Sequence, residues 1–239
     1  MSTLHRIAGC DDDARRADVV FIHGLGGDAF ATWRHGADAS TSWPHWLGEA
    51  HPEVGVWSLG YAASPTRWAR VTAWLTDGSR DAGHAMALPD RGLQVLDLMV
   101  QRGLGQRPIL FVCHSLGGLV AKQVLRRSAD ADEDDADRRS VADATRAVLF
   151  LATPHAGAAL ATMLDAFRTV FGTTVSIEDL RAHDAHLRDL GDWYRGNAGR
   201  LGVETAAYFE TRGVRGVTIV DPTSANPGVG APPVGLDED

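Results

Sequence analysis

The sequence predicts a three-layer α/β domain, in which a mostly parallel β-sheet carries helices on both faces. Three observations indicate this fold class. Apolar runs of strand length alternate along the chain with segments of helical composition. Between two of those runs, Leu93, Leu96, Val100 and Leu104 recur at helical spacing. The length of 239 residues suits a single domain of this class, spanning 1–239.

The predicted elements follow one another in regular order. Strands are expected at 19–23, 54–60, 109–113, 147–152, 204–210 and 214–220. Helices are expected at 88–104 and from 116 to about 127. The segment 158–200 is helical in composition and long for a plain crossover, so we predict a lid-like insertion, with ordinary packing as the alternative. The proline- and glycine-rich tail, 222–239, is predicted to be extended and irregular.

Composition excludes several classes of protein. Hydrophobic residues make up 44% and charged residues 23% of the chain, as in ordinary soluble domains. A net charge of −8 argues against a nucleic-acid partner, and the acidic run 130–137 is expected to be a solvated loop. Two cysteines, Cys10 and Cys113, make no disulfide framework. Because no signal peptide or apolar span is visible, we predict a cytoplasmic protein without a transmembrane segment.

The sequence contains no pattern typical of a metal or cofactor site. Neither H-x-x-x-H nor C-x-x-C occurs. The glycine-rich run 24–27 lacks the Lys-Ser/Thr step of a P-loop and the spacing of G-x-G-x-x-G. We therefore predict neither a metal ion nor a cofactor.

The most specific motif is the serine turn within residues 108–121, PILFVCHSLGGLVA. An apolar strand breaks at Ser115, two glycines follow, and an apolar-periodic helix begins. A strand-to-helix turn this tight holds the serine in strained backbone geometry and presents its Oγ at the edge of the sheet. The positions two before and two after the serine must be small, and here they are Cys113 and Gly117. The pattern predicts a nucleophilic serine, with a cysteine where G-x-S-x-G has its first glycine.

A second motif supplies what a nucleophilic serine needs. Attack on a carbonyl creates an oxyanion, which requires hydrogen-bond donors aimed at it. The run HGLGG at 23–27 follows the first long strand, where this arrangement contributes one such N–H; the residue after the serine contributes the other. We predict that the backbone amides of Leu25 and Leu116 are these donors, the alternative for the glycine run being a simple tight turn. The surrounding site is expected to be lined by His23, Gly24, Gly26, His114 and His155.

Three segments together resemble the α/β-hydrolase lipases and esterases: HGLGG at 23–27, VCHSLGGLV at 112–120 and FLATPHAG at 150–157. The resemblance is greatest to the branch of the mitochondrial serine active site containing protein and the esterase domains fused to NLR-like NTPases. It continues through the segments 28–33, 42–44, 57–61 and 219–225. The resemblance implies the three-layer α/β-hydrolase fold, a serine hydrolase activity, and a small-molecule or lipid ester as substrate.

Two acids are candidates for orienting a catalytic histidine. In α/β hydrolases the order along the chain is serine, acid, histidine. Glu210 ends the strand predicted at 204–210, and Asp221 follows the strand predicted at 214–220. Relatives that resemble this chain carry a glutamate at the position of Glu210, which favours Glu210 and leaves Asp221 as the alternative. A third alternative is that neither acid orients a histidine.

The catalytic histidine is the residue that the sequence does not supply in the expected order. In relatives it follows the loop after the last strand, whereas no histidine occurs after His186 in this chain. We expect His114 to point away from the serine Oγ, and His155 to position loops or contact substrate. His183 and His186 precede the acid, which is the wrong order. The expectation is therefore that the 239 residues end before the catalytic histidine and belong to a polypeptide with further domains.

Two main hypotheses of function remain. The first is a serine esterase that attacks through Ser115 and whose residual activity is low without a base within these residues. The second is a non-catalytic or effector module, resembling a hydrolase, of a larger NTPase-fused protein. Peptidase or acyltransferase chemistry at the same serine turn is a third, and fold alone does not choose between substrates.

Overall fold

The computed structural model describes residues 2–36, 38, 41–63, 88–155, 177–211 and 222–236. Its strands are β1 (Thr3–Ala8), β2 (Ala17–Ile22), β3 (Val54–Gly60), β4 (Ile109–His114), β5 (Thr145–Leu151), β6 (Glu204–Glu210) and β7 (Val234–Leu236). Its helices are α1 (Trp43–Ala50), α2 (Leu88–Gln101), α3 (Gly117–Ala129), α4 (Ala136–Ala144) and α5 (Ile177–Asn197), with a 3-10 turn at Ala31–Trp33.

The strands form one seven-stranded sheet in the order β1-β3-β2-β4-β5-β6-β7. Every neighbouring pair is parallel except β1 and β3, which pair antiparallel at the edge. Because parallel strands need crossovers, helices fall on both faces of such a sheet. A mostly parallel sheet with one antiparallel edge strand, followed by helices in this order, is the α/β-hydrolase arrangement. The predicted fold class is confirmed.

Two apolar clusters define the layers. On one face, α2, α3, α4 and α5 pack over a large core that includes Leu96, Phe111, Val120, Val141, Phe150 and Leu190. On the other face, the cluster of Val19, Phe21, Trp33 and Val56 is joined by Leu47 of α1. Helices on both faces were predicted from the alternation of elements, and this prediction is confirmed.

The two edges of the sheet differ from the prediction. β1 was missed because it is an edge strand whose side chains are mostly half-buried or exposed, so it lacks a continuous apolar run. The N-terminal segment is nevertheless anchored, since the buried Cys10 thiol donates to the carbonyl of Val56 at 3.0 Å. At the opposite edge, Val234–Leu236 pairs in parallel with β6, so the tail is not irregular throughout. The strand predicted at 214–220 lies outside the described residues.

Two helical segments also refine the prediction. α4 begins inside the acidic run 130–137, where Arg138 contacts Asp135 and Asp97, each at 2.7 Å, and offsets the negative charge. α5 lies within the segment predicted as a lid, and its side chains Leu187, Leu190 and Tyr194 are buried in the main core. The rest of that segment, 158–176, is outside the described residues. No described helix is both long enough and apolar enough to cross a membrane.

Candidate active site

Ser115 directly follows β4 and has a left-handed backbone conformation, with φ near +51°. This region disfavours residues with a side chain by about 1–2 kcal/mol, so surrounding contacts must hold the turn. Its amide donates to the carbonyl of Leu151 at 2.8 Å, and its carbonyl accepts from the Gly118 amide at 3.1 Å. The Thr153 hydroxyl donates to the same carbonyl at 3.0 Å. The strained turn is thus fixed by both β5 and α3.

Glycines bring the loop after β2 into backbone contact with this turn. A Cβ on Gly24 would lie 2.6 Å from the Cβ of Ser115. A Cβ on Gly117 would overlap the carbonyl oxygen of Ile22 at the end of β2. The small residue is therefore needed because α3 begins against β2, and not because the two arms of the turn would collide. Cys113, at the other flank, is fully buried in the core.

Among the described residues, no acceptor is found for the backbone amides of Gly24 and Leu25 after β2, or for those of Leu116 and Gly117 after the serine. Neighbouring amides of the same loop are occupied: Gly26 donates to the carbonyl of Ala63 at 2.6 Å, and Gly27 donates to the carbonyl of Gly24 at 3.2 Å. The left-handed Gly26, with φ near +69°, reverses the loop. Backbone donors that are not used internally can serve a ligand oxygen.

His23 holds the glycine loop at 24–27 in place through buried contacts. Its ring stacks on Tyr61 with 4.3 Å between centroids, and the Tyr61 hydroxyl donates to the His23 carbonyl at 2.6 Å. Nδ1 donates to the carbonyl of Gly24 at 2.9 Å. Burial lowers the pKa of His23, so the ring is neutral at physiological pH. His23 is fully buried, and its position supports the loop without reaching the open site.

Glu210, at the end of β6, borders a cavity of about 610 Å³ at the carboxyl edge of the sheet. A cavity of this size is typical of small-molecule sites. Its wall combines aromatic, apolar and basic side chains: Thr32, Trp33, Arg34, His35, Trp43, His114, Leu151, Ala152, Tyr208, Phe209, Glu210 and Leu236. Asp221, the other candidate acid, lies outside the described residues. The described residues contain no group of three His, Cys, Asp or Glu side chains that could hold a metal ion.

His114 belongs to the wall of this cavity and directly precedes Ser115, which is not among the residues that line the cavity. The His114 ring lies edge-on to Trp33 with 6.5 Å between centroids, on the face of the sheet that carries α1. Burial lowers the pKa of His114 to about 4, and the neighbouring His23, which would repel a second positive charge, adds to the shift. This side chain is half-buried and forms part of the cavity wall, whereas the expectation was that it points into the scaffold. It is a neutral ring at physiological pH.

His155 is buried behind the serine turn and does not lie at an open mouth. Its amide donates to the carbonyl of Ser224 at 2.8 Å, which joins the loop after β5 to the loop at 222–226. Its Nδ1 lies 2.7 Å from the ammonium nitrogen of Lys122. Sequence reasoning missed Lys122, although its spacing from Gly118 and Leu125 places it on the buried stripe of α3.

Comparisons of the sequence with known proteins identify relatives of one kind. No family model matches the chain. It is 28% identical over 192 residues to Protein SERAC1 of Danio rerio, covering 74% of this chain and 28% of that protein. It is 26% identical over 211 residues to Protein SERAC1 of Bos taurus, covering 82% and 30% respectively. The human Protein SERAC1 is 28% identical over 192 residues, covering 74% and 27%.

Solved structures with a similar fold include a lipase and a thioesterase. The monoacylglycerol lipase of Paleococcus ferrophilus superposes with a TM-score of 0.47 at 13% identity, covering 100% of this chain and 88% of that chain. The thioesterase domain from the curacin biosynthetic pathway superposes with a TM-score of 0.49 at 15% identity, covering 99% and 89%. Superpositions of this quality carry no argument about activity. The chain is thus a sequence relative of Protein SERAC1 that spans less than a third of the length of those proteins.

Proposed function

We propose that this chain is a serine hydrolase of carboxylic esters that works through an acyl-enzyme at Ser115. The observation that carries the proposal is the left-handed Ser115 at a strand-to-helix turn, packed against the glycine loop after β2. Backbone strain of this kind concentrates at functional sites, because it persists only where contacts of the surrounding structure offset its energetic cost. If the turn served only packing, a glycine at position 115 would form it without this strain.

The proposed reaction uses the two backbone amides as the oxyanion hole. The Ser115 Oγ attacks the ester carbonyl carbon while a histidine base takes its proton. The oxygen that becomes negative accepts hydrogen bonds from the amides of Leu25 and Leu116. Collapse of the tetrahedral intermediate expels the alcohol, which takes the proton back from the histidine. Water then attacks the acyl-enzyme in the same way and regenerates the serine.

Glu210 is the acid that we propose to orient the histidine. It ends β6, which lies two strands from β4 at the same edge of the sheet, and it faces the cavity. Asp221 is the alternative acid. We propose that the base is a histidine other than His23, whose Nε2 accepts from the Tyr61 amide at 3.4 Å, and other than His155, whose Nδ1 contacts Lys122.

The substrate class is proposed to be a small-molecule or lipid ester. Trp33, Trp43 and Phe209 give the cavity apolar walls on which an acyl or aryl group could pack. Arg34 and His35 add basic groups that suit a polar or anionic part of the same substrate. The choice of a lipid ester follows from the resemblance to lipases and esterases.

A series of p-nitrophenyl esters of increasing acyl length tests this function. We expect release of p-nitrophenol that depends on Ser115 and is absent from Ser115→Ala. The profile of rate against chain length then reports how much of an acyl group the cavity accepts. Equal rates in the wild type and Ser115→Ala would contradict the proposal.

A second candidate function is a module that resembles a hydrolase but acts by binding, within a longer polypeptide such as an NTPase-fused protein. It is favoured by the histidines of the described residues, since His23 and His155 are both buried and engaged. This candidate predicts a folded chain whose Ser115 reacts with no acylating probe even when a base is added.

A further inference from the structure

Lys122 lies in α3, two turns beyond Ser115, and only 1% of it is exposed. Its ammonium nitrogen lies 5.4 Å from the ring centroid of Phe150 and 5.0 Å from that of Tyr194. No described carboxylate forms an ion pair with it. The buried Arg15, by contrast, contacts Asp18 at 2.7 Å. Burying an unpaired cation costs several kcal/mol, so a specific contact must hold Lys122 in place.

That contact is Nδ1 of His155, at 2.7 Å. When Lys122 is charged its ammonium group can only donate, so the lone pair of Nδ1 accepts and the ring proton resides on Nε2. The pair carries at most one positive charge, because two cations cannot lie this close in a buried site. Burial lowers the pKa of Lys122 to about 7, with a further contribution from the charge of Arg195, and lowers the pKa of His155 well below its usual value.

The groups around the pair show that it is enclosed. Tyr194 faces it from α5, and Phe150 faces it from β5, with 4.6 Å between the Phe150 and His155 ring centroids. Arg195 on α5 is exposed, and it acts on Lys122 through its charge only. Nε2 of His155 has no hydrogen-bond partner among the described residues. The His155 ring is therefore held in one orientation by its Nδ1 contact and by aromatic packing.

His155 in turn connects two loops to the serine turn. Its own amide bonds to Ser224, in the loop at 222–226. Two residues before it, Thr153 bonds to the carbonyl of Ser115, and Gly118 leaves no room for a side chain beside Thr153. A displacement of the His155 ring would therefore be transmitted to the back of the Ser115 turn.

We propose that Lys122 is a positioning residue that acts through His155 to hold the 153–155 segment and the 222–226 loop against the Ser115 turn. The expected effect on the reactivity of Ser115 rests on the proposed function, whereas the role of Lys122 in holding His155 rests on the contacts alone. An apolar side chain of similar size would fill the same space between Phe150 and Tyr194, so what the lysine adds is the hydrogen bond to Nδ1.

A double-mutant cycle on the intact chain separates this role from simple packing. The variants are Lys122→Met, His155→Leu and their combination, with Arg127→Met as the control, since Arg127 is an exposed cation on the same helix. The measurement is hydrogen exchange at the backbone amide of position 155, which bonds to Ser224. We expect exchange about tenfold faster in each single variant, no further increase in the double variant, and no change in the control.

Two further readouts do not depend on hydrolysis. The ring ¹⁵N chemical shifts of His155 should show an accepting Nδ1 in the wild type and lose that signature in Lys122→Met. Should Lys122→Met fail to fold, His155→Asn retains an acceptor near the position of Nδ1 and should exchange like the wild type, whereas His155→Leu should not. Additive effects in the cycle, or unchanged ring shifts in Lys122→Met, would overturn the proposal.

The consequence for Ser115 is measured by its rate of reaction with a fluorophosphonate. We expect Lys122→Met to react about tenfold more slowly than both the wild type and Arg127→Met. If Lys122→Met reacted with the fluorophosphonate as fast as the wild type while its amide at position 155 exchanged faster, the proposal that Lys122 positions Ser115 would be overturned. A wild type that does not react at all would count against the proposed function, while the exchange and NMR results would still decide the role of Lys122.

Discussion

In the half of the site formed by the ends of β2 and β4, backbone packs directly on backbone, with glycine at each close approach. In the half formed by the ends of β5, β6 and β7 together with residues 32–35 and Trp43, side chains surround a cavity of about 610 Å³. The first half, the nucleophile half, tolerates almost no added atom. The second half, the acid half, leaves room for a ligand. The difference is that an added atom would clash in the nucleophile half, whereas the acid half contains open space.

The largest expected effect is on the nucleophile half. Gly117→Ala places a methyl group against the carbonyl of Ile22, and the backbone cannot yield without moving α3 from β2. We expect a loss of about 3 kcal/mol in the free energy of unfolding, measured by urea denaturation. The matched control is Gly196→Ala on α5, where a methyl group meets no other atom and should stabilise by about 0.5 kcal/mol. Equal stability of the two variants would remove the contrast between the halves.

The second largest expected effect is a loss of folding stability at low pH, caused by the histidines whose pKa values are lowered by burial. The unfolded chain binds a proton at His114 near pH 6.5, whereas folded His114 does so only near pH 4. Between these values the unfolded state holds more protons, so stability falls as pH falls, by about 3 kcal/mol from His114 alone at pH 4. His23 and His155 act in the same direction, since burial lowers their pKa values too.

Urea midpoints between pH 7.5 and pH 5 measure this dependence. His114→Phe should flatten the curve, and His45→Phe, at an exposed position on α1, provides the control. A curve that keeps its slope in His114→Phe would show that the His114 ring is not held neutral by the fold.

The acid half is tested by the two candidate acids. Glu210→Gln keeps the shape of the side chain and removes its charge, so we expect ester hydrolysis about 100-fold slower with unchanged stability. Asp221→Asn is the paired variant and should leave the rate within a factor of about three if Glu210 orients the base. The reverse pattern would transfer the role to Asp221.

Backbone strain gives the smallest effect and occurs in both halves. Ser115 and Ala152 are left-handed residues with φ near +51° and +48°, at the ends of neighbouring strands. Ser115→Gly should be more stable than Ser115→Ala, and Ala152→Gly more stable than the wild type, each by about 1 kcal/mol. Thermal unfolding of the four proteins measures this. If glycine gains nothing at Ser115, the turn is unstrained and the main support for a catalytic serine is lost.

The nucleophile half was predictable because its requirements are visible as residue types at fixed spacing. An apolar run before Ser115 and the glycine run at 23–27 leave little choice of backbone path. The acid half was less predictable from the sequence, because its cavity is assembled from residues that are distant along the chain, such as Trp33, Trp43, Phe209 and Leu236. Lys122 escaped notice for a similar reason, because its partner His155 lies 33 residues further along the chain. The edge strand β1 lacks the apolar run by which buried strands are recognised.

The central claim is that Ser115 is a nucleophile. Reaction of the folded chain with a fluorophosphonate, followed by intact-mass and peptide mapping with and without added imidazole, tests it most directly. We predict a single adduct on Ser115 under both conditions, and none on Ser115→Ala. No adduct on Ser115 under either condition, or an equal adduct in Ser115→Ala, would contradict the account.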